Sequence, residues 1–251
     1  MPNPRDDHGN SLSLEFVEPR PHEADRGWER RSGSGLSVPN AAPDNARTAP
    51  GVACAAPDVA CAAPPPGLTL VSRFVSLSEE ARLLRHVNGA PWRTDLKRRV
   101  QHYGWVYRYR SRRTAASRIG PLPRWLLTEA ERLAGAGWFA APPDQVIVNE
   151  YEPGQGIGAH VDCVPCFGDT VATLSLGSPC VMALREKRGA GRFDLVLAPG
   201  SLLVLQGPAR YGWTHAIPAR KSDKVDGIRR ARTRRVSLTF RAVRDGSLGE
   251  A

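Results

Sequence analysis

The 251-residue chain holds only five cysteines and two methionines, and no apolar run long enough to cross a bilayer. An odd, scattered set of cysteines argues against a secreted disulfide framework and for a reducing, cytoplasmic setting. The N-terminal MPNPRDDHGN has no basic start followed by an apolar core, so no signal peptide is expected. Acids are also scarce: 25 Asp and Glu face 35 Lys and Arg, for a formal charge of +10. The shortage is local. Residues 91–118 carry nine Lys/Arg against Asp95 alone, and residues 220–235 carry eight against Asp223 and Asp226. Two basic segments suit a polyanion, above all a nucleic acid. A solubilising surface with general arginine enrichment accounts for them equally well.

Residues 1–66 are rich in Pro, Ala, Gly, Asp and Arg without a sustained period, and read as a disordered tail. Within them VACAAPDVACAAPPP is an imperfect tandem copy, too short for a repeat fold. The ordered domain is expected over 67–244, with a short tail over 245–251. LTLVSRFV reads as a first strand. SLSEEARLLRHV reads as a helix: Ser76 and Glu79 fit a capping box, and Ala81, Leu84 and Val87 recur at helical spacing. PRWLLTEAERLAGAG reads as a second helix ending at its glycines. From Gln145 onward QVIVNEY, DTVATLSLG, CVMALRE, RFDLVLA, GSLLVLQG and TRRVSLTFRAV are short β-rich runs broken by Gly, Pro and Asp. Helices followed by such a run give an α+β chain with a sandwich, barrel or jelly-roll core.

The chemistry concentrates in GIGAHVDCVPCFGD, residues 156–169. His160 and Asp162 are two apart, so an extended backbone turns both to one side. A third ligand must come from elsewhere, and His215 in RYGWTHAIP is the best candidate, next to a strand-like stretch. Two His and one Asp on one face of an octahedron leave three positions open, the ligand set of non-haem Fe(II) oxygenases. By itself His-x-Asp is frequent, and a surface loop with a satisfied histidine accounts for it; His86 and His102 show that histidine is not rare here. A dicarboxylate co-substrate also needs a cation at its far end. RRVSLTFRAV offers Arg235 and Arg241, whose planar forks match carboxylates.

Four segments in order, NEYEPGQGIGAHVD, LSLGS, LLVLQGPARYGWTHAIP and RRVSLTFR, resemble the signature of AlkB-type Fe(II)/2-oxoglutarate dioxygenases. The resemblance covers about residues 68–244. It implies a double-stranded β-helix, a jelly roll with flanking helices, and an enzyme that uses Fe(II), 2-oxoglutarate and O₂. It assigns His160, Asp162 and His215 to iron, and Arg235, Asn149 and Tyr151 to 2-oxoglutarate, with Arg241 supporting that pocket. The implied reaction converts 2-oxoglutarate to succinate and CO₂ while a substrate C–H is hydroxylated. On an N-methyl group the product then releases formaldehyde.

Cys163 and Cys166 form a CxxC that competes for the metal. A zinc site needs two more ligands, and no second CxxC exists. A redox pair is a further possibility. The reading adopted is a loop just past the iron ligands whose thiols are open to oxidation.

RRVQHYGWVYRYR is the substrate-side stretch. Tyr103, Trp105, Tyr107 and Tyr109 alternate, so one strand would align all four, with Arg108 and Arg110 opposite. Aromatics that stack bases and arginines that meet phosphates suit a flipped or single-stranded base. Aromatics at this period also pack cores, so the four are expected to divide between core and pocket. Gly104 suits a turn or a close backbone approach. In the family this stretch lies in the lid before the jelly roll, and RRVQHYG resembles the tRNA-modifying branch. The founding repair member has further acids after its His-x-Asp, whereas CVPCFGD has none before Asp169. RKSDKVDGIRRARTRR reads as a basic loop that could hold phosphates. The substrate expected is therefore DNA or RNA, tRNA included. The same chemistry on a protein or small molecule, and a non-catalytic metal-binding jelly roll, are the alternatives.

Overall fold

The computed structural model describes residues 63–94, 96–108 and 113–244. The N-terminal tail before residue 63 and the 245–251 tail lie outside these residues. One antiparallel sheet has six strands, in the order β1 (Leu68–Val71), β10 (Leu202–Leu205), β7 (Phe167–Gly177), β14 (Arg235–Val243), β5 (Gln145–Tyr151) and β2 (Val100–Tyr103). A second has four: β6 (Ile157–His160), β11 (Trp213–Ile217), β8 (Cys180–Glu186) and β9 (Arg192–Leu197). Two helices, α1 (Leu77–Gly89) and α2 (Arg124–Gly135), pack on the large sheet, and the short α3 (Gly207–Tyr211) links β10 to β11. The jelly-roll core with helices outside is thus present, and all six β-rich runs from Gln145 onward are strands.

Period-two alternation assigns each face of the large sheet. On β14, Val236, Leu238 and Phe240 point to the helices and join Leu83, Val87, Leu126, Ala130 and Leu133 in one buried cluster. On β5 and β7 the residues facing the same way are Val146, Val148, Ala172, Leu174 and Leu176. Each fully buried aliphatic side chain contributes roughly 1.5–3 kcal/mol, so this layer anchors the sheet. The alternate positions, among them Asn149, Tyr151, Thr173, Arg235, Ser237, Thr239 and Arg241, face the interior between the sheets. Leu203 and Leu205 of β10 close one end of that interior against Leu184, Phe193, Leu195 and Leu197.

Helix α1 begins with the expected capping box: Glu79 N–H donates to Ser76 Oγ at 3.3 Å, and Ser76 N–H donates to Glu79 Oε2 at 2.7 Å. Its buried face differs from the expected one. Ala81 is exposed, and Glu80, Leu83 and Val87 are buried. Glu80 rotates inward because its carboxylate accepts the Gly177 backbone N–H at 2.7 Å, which satisfies an otherwise orphaned donor.

Two further expectations need correction. The aromatic stretch is not one strand. Gly104 sits at φ +77° and separates β2 from β3 (Trp105–Arg108), which pairs with β4 (Arg113–Arg118). The basic stretch before β14 is not a loop. It folds as a hairpin of β12 (Ser222–Val225) and β13 (Ile228–Ala231). Asp226 and Gly227, at φ +50° and +77°, make its two-residue turn, the chemistry such a turn requires.

Gly104 combines a left-handed backbone with close packing: an added Cβ would lie 1.8 Å from the Asp144 carbonyl oxygen. Gly104→Ala should therefore cost about 2 kcal/mol or more and lower the melting temperature by about 4–8 °C. Gly89→Ala, at a helical position with open space around it, should leave the melt unchanged or raise it. Equal melts for the two variants would contradict this account.

Candidate active site

His160 ends β6 and lies directly opposite His215 of β11 in the antiparallel register. Their ring centroids are 4.4 Å apart. Asp162 follows two residues after His160, and its Oδ2 is 3.6 Å from His215 Nε2. One ligand atom from each of the three residues lies within 4.8 Å of the other two. The sequence-expected triad is therefore assembled. His215 comes from the middle of its own strand, reached through α3, rather than from the end of the preceding one.

The protonation states suit a divalent metal. Burial disfavours the charged imidazole and holds His215 down to about 4, so it is neutral at physiological pH. Burial opposes ionisation of Asp162, but the charge of Arg241 foremost, joined by Arg210, outweighs it and holds the carboxyl far below its ordinary value. The His160 ring has Nδ1 at 2.8 Å from the Gly158 carbonyl. A tautomer with its proton at Nδ1 satisfies that contact and turns Nε2 toward the site. Two imidazoles and one carboxylate on one face fit Fe(II) with open positions.

Asp162 is held from two directions. Arg241 Nη2 meets its Oδ1 at 2.6 Å, and Arg241 Nη1 donates to Gln145 Oε1 at 3.1 Å. Arg210, on α3, donates to the backbone carbonyls of Asp162 at 3.0 Å and Cys163 at 3.4 Å. Arg241 is thus engaged with the acidic metal-ligand candidate as well as lining the inner cavity. The sequence offered no direct sign of Arg210, because its role depends on where α3 returns.

The inner cavity has about 480 Å³ of empty space and is lined by Asn149, Tyr151, Arg235, Ser237, Thr239 and the triad, among others. Arg235 is 3% exposed, lies over the Tyr151 ring at 5.2 Å and donates to Ser175 Oγ at 3.0 Å. Its Nε is buried without a hydrogen-bond partner, and among the described residues no carboxylate pairs with it. A buried, unpaired guanidinium is costly, so it calls for an anionic ligand. A dicarboxylate with one end at the metal and the other at Arg235 fits this donor set.

A larger outer cleft, about 1410 Å³, shares Asn149, Ile157, His160, Asp162 and Arg241 with the inner cavity. Tyr107, Phe167, Arg98 and Lys187 line it further. The four alternating aromatics are separated by the break at Gly104. Tyr103 packs into the core edge-on to Trp125, centroids 5.6 Å apart. Trp105 donates from Nε1 to Asp144 at 2.8 Å. Tyr107 alone of the described three reaches the cleft, 5.7 Å from the Phe167 ring. Arg108 closes β3, while Tyr109 and Arg110 lie outside the described residues. Arg98, the first residue of RRVQHYG, donates to Asn149 Oδ1 at 2.9 Å.

Cys163 and Cys166 are bonded to each other as a buried disulfide in the loop after Asp162. The loop position matches the sequence reading. Because each sulfur is bonded to the other, neither is available to a zinc ion. They pack with Phe167, Tyr107 and Val243.

Residues 71–241 match the 2OG-Fe(II) oxygenase superfamily. The chain is 39% identical over 204 residues to the "Alkylated DNA repair protein ALKBH8 homolog" of Arabidopsis thaliana, covering 72% of this chain and 59% of that protein. It is 37% identical over 208 residues to the mouse "tRNA (carboxymethyluridine(34)-5-O)-methyltransferase ALKBH8", covering 72% of this chain but 31% of that protein. The chain thus spans less than two thirds of the length of each of these two relatives. It is 35% identical over 180 residues to the bovine "Alpha-ketoglutarate-dependent dioxygenase alkB homolog 7, mitochondrial", covering 69% of this chain and 77% of that protein. The solved structure of OsALKBH1 shares the fold at 20% identity, with a TM-score of 0.52 over 72% of this chain and 98% of that one.

Two outcomes follow from this geometry. Unfolded His215 titrates near 6.5 but folded near 4, so the unfolded chain binds more protons between those values. Stability of the metal-free protein should fall by about 3 kcal/mol from pH 6.5 to pH 4. The lowered Asp162 then extends the loss as pH falls further below the ordinary carboxylate value. Chemical denaturation across this range checks the sign; stability that rises on acidification would contradict it. Replacing Cys163 and Cys166 together with Ser should cost about 2 kcal/mol, the entropy of so short a loop, and leave metal binding in place. Calorimetric metal titration of the double variant is the measurement, and lost binding would refute the loop reading.

Proposed function

Because this chain belongs to the AlkB-type Fe(II)- and 2-oxoglutarate-dependent dioxygenases, we propose that it oxidises a modified base in a nucleic acid, by N-demethylation or by hydroxylation of a base substituent. The observation that carries the substrate class is the outer cleft. It opens onto His160 and Asp162, it has an aromatic wall in the half-buried Tyr107, and it is flanked by Arg98 and Lys187. A flipped base needs a π-face to stack on and cations for its flanking phosphates, and this cleft offers both. The names of two relatives refer to alkylated DNA and to tRNA, which is consistent with a single-stranded segment of DNA or RNA, tRNA included.

His160, Asp162 and His215 would hold Fe(II), with Arg235, Asn149 and Tyr151 around 2-oxoglutarate. The iron with its co-substrate and O₂ supplies the oxidation, in which 2-oxoglutarate leaves as succinate and CO₂ and the substrate C–H gains a hydroxyl. The chain supplies position. Arg235 would take the far carboxylate of the co-substrate in a buried site. Arg241 and Arg210 hold Asp162 and its backbone, so the carboxylate stays ionised and aimed. Arg98 steadies Asn149, which faces both cavities. Tyr107, backed by the buried Phe167 ring, would present the base to the metal site. On an N-methyl group the hydroxymethyl product breaks its C–N bond, giving formaldehyde and the free N–H. The set of three ligand candidates plus an unpaired buried arginine leaves no support for a non-catalytic module.

Succinate release measured with methylated single-stranded DNA, with tRNA and with no substrate tests this reading. Stimulation by at least one nucleic acid is expected, and stimulation by none would favour a protein or small-molecule substrate. Arg235→Ala should raise the KM for 2-oxoglutarate on the order of 100-fold, because it removes one half of a buried charge pair. An unchanged KM would remove Arg235 from the co-substrate site.

A further inference from the structure

The hairpin β12–β13 has a feature that the catalytic site does not use. Lys224 and Arg229 are directly opposite each other in its register. Like charges on opposed strand positions repel, and their Cβ atoms are only about 4.5–5.5 Å apart. Both are exposed, as are Lys221 and Arg230 nearby, and none of the four has an ion-pair partner among the described residues. Arg229 only donates to Ser222 Oγ, at 3.2 Å. Asp226 at the turn is exposed but is outnumbered.

The root of the same hairpin is held firmly. Asp223 is buried and accepts from Arg232 Nε at 2.6 Å, Arg220 Nε at 2.7 Å and the Val181 backbone N–H at 3.2 Å. Arg232 N–H donates to the Lys221 carbonyl at 2.9 Å. The opposed cations are thus mounted on a clamped support, so their proximity is built in and is not a loop's chance arrangement.

The hairpin root also connects to the cleft. Gly154, in the loop between β5 and β6, donates its N–H to the Arg220 carbonyl at 3.2 Å, and an added Cβ there would meet Lys221 Cγ at 3.8 Å. The adjacent Gln155 side chain donates to the Lys97 carbonyl at 2.8 Å. Lys97 is exposed, and its neighbour Arg98 lines the outer cleft. Hydrogen bonds therefore connect the hairpin root, through the Gly154–Gln155 loop, to Lys97 beside Arg98 at the cleft. Glu152 is the exposed acid beside that loop.

We propose that this hairpin face is a second nucleic-acid contact, binding the phosphodiester backbone of the substrate at a distance from the base held in the cleft. The proposal rests on the nucleic-acid reading of the cleft. Phosphates between Lys224 and Arg229 convert their repulsion into shared attraction, and release of condensed counterions favours the contact. The hairpin reads charge, not sequence, so it would position many substrates equally.

The test compares the full-length protein with Lys224→Ala/Arg229→Ala and with a charge-matched control, Arg85→Ala/Arg124→Ala, on the outer helices. Fluorescently labelled unfractionated tRNA and a single-stranded RNA oligomer serve as probes, across a salt series. For the hairpin variant the slope of log K against log salt should become shallower by about 1 to 2, with affinity near 0.1 M salt falling on the order of ten-fold. In succinate release the loss should appear in the nucleic-acid KM and not in kcat. Its melting temperature should be unchanged or raised, because a repulsion has been removed. The control should keep the wild-type slope. A hairpin variant with wild-type slope and affinity, or a control that loses as much, overturns the proposal. If wild type neither binds nor responds to any nucleic acid, the cleft reading fails and takes this one with it. An unaltered slope in the variant alone removes only the hairpin.

Discussion

The ion pair between Asp162 and Arg241 is the interaction on which the interior depends. Both groups are buried, and neither charge would be tolerable there without the other. The pair fixes the last strand of the large sheet to Asp162, two residues past the end of β6, so it joins the two sheets at the metal site. It also keeps Asp162 ionised and acceptor-only, which is what a ligand to a hard divalent cation must be. Arg235, six residues earlier on the same face of β14, stands in contrast. It is equally buried, yet among the described residues it has no carboxylate of its own. One strand therefore carries one arginine ion-paired to a carboxylate of the protein and one without such a carboxylate.

That division follows from β14 lying in the middle of its sheet. Val236, Leu238 and Phe240 are committed to the helices, which leaves Arg235, Ser237, Thr239 and Arg241 to line the interior. A polar face on a central strand is destabilising unless it serves a ligand. The surrounding aliphatic layer on β5, β7 and β10 supplies the stability that permits it.

Much of this was legible before any coordinates. His160, Asp162 and His215 could be named because i, i+2 spacing and an ordered motif both constrain them. The strands from Gln145 onward could be read because short β-branched runs between Gly and Pro leave few alternatives. What failed depended on information that is not local. Ala81 looked like a core position until Glu80 turned inward to meet Gly177, nearly a hundred residues away in the chain. The alternation of Tyr103, Trp105 and Tyr107 looked continuous, yet the left-handed backbone at Gly104 sends Tyr103 to the core and Tyr107 to the cleft. In the basic stretch Asp226-Gly227 is a strong hairpin signal, but the charge density around it masks that turn chemistry. Arg98 and Arg210 lie within RRVQHYG and LLVLQGPARYGWTHAIP, but their individual roles do not show in the sequence, because they exist only once distant segments meet.

The placement of His160 has one more consequence. Strand β6 is four residues long, lies at the edge of its sheet and is paired only to β11 within it. Its last residue faces His215 across that single pairing. A metal bound by both imidazoles is therefore a clasp across the seam between an edge strand and the body of the sheet. Loading the metal and docking the edge become one equilibrium, since whatever favours one favours the other. The metal-free chain would open first at this seam and expose an unpaired strand edge, the surface on which β proteins begin to associate wrongly.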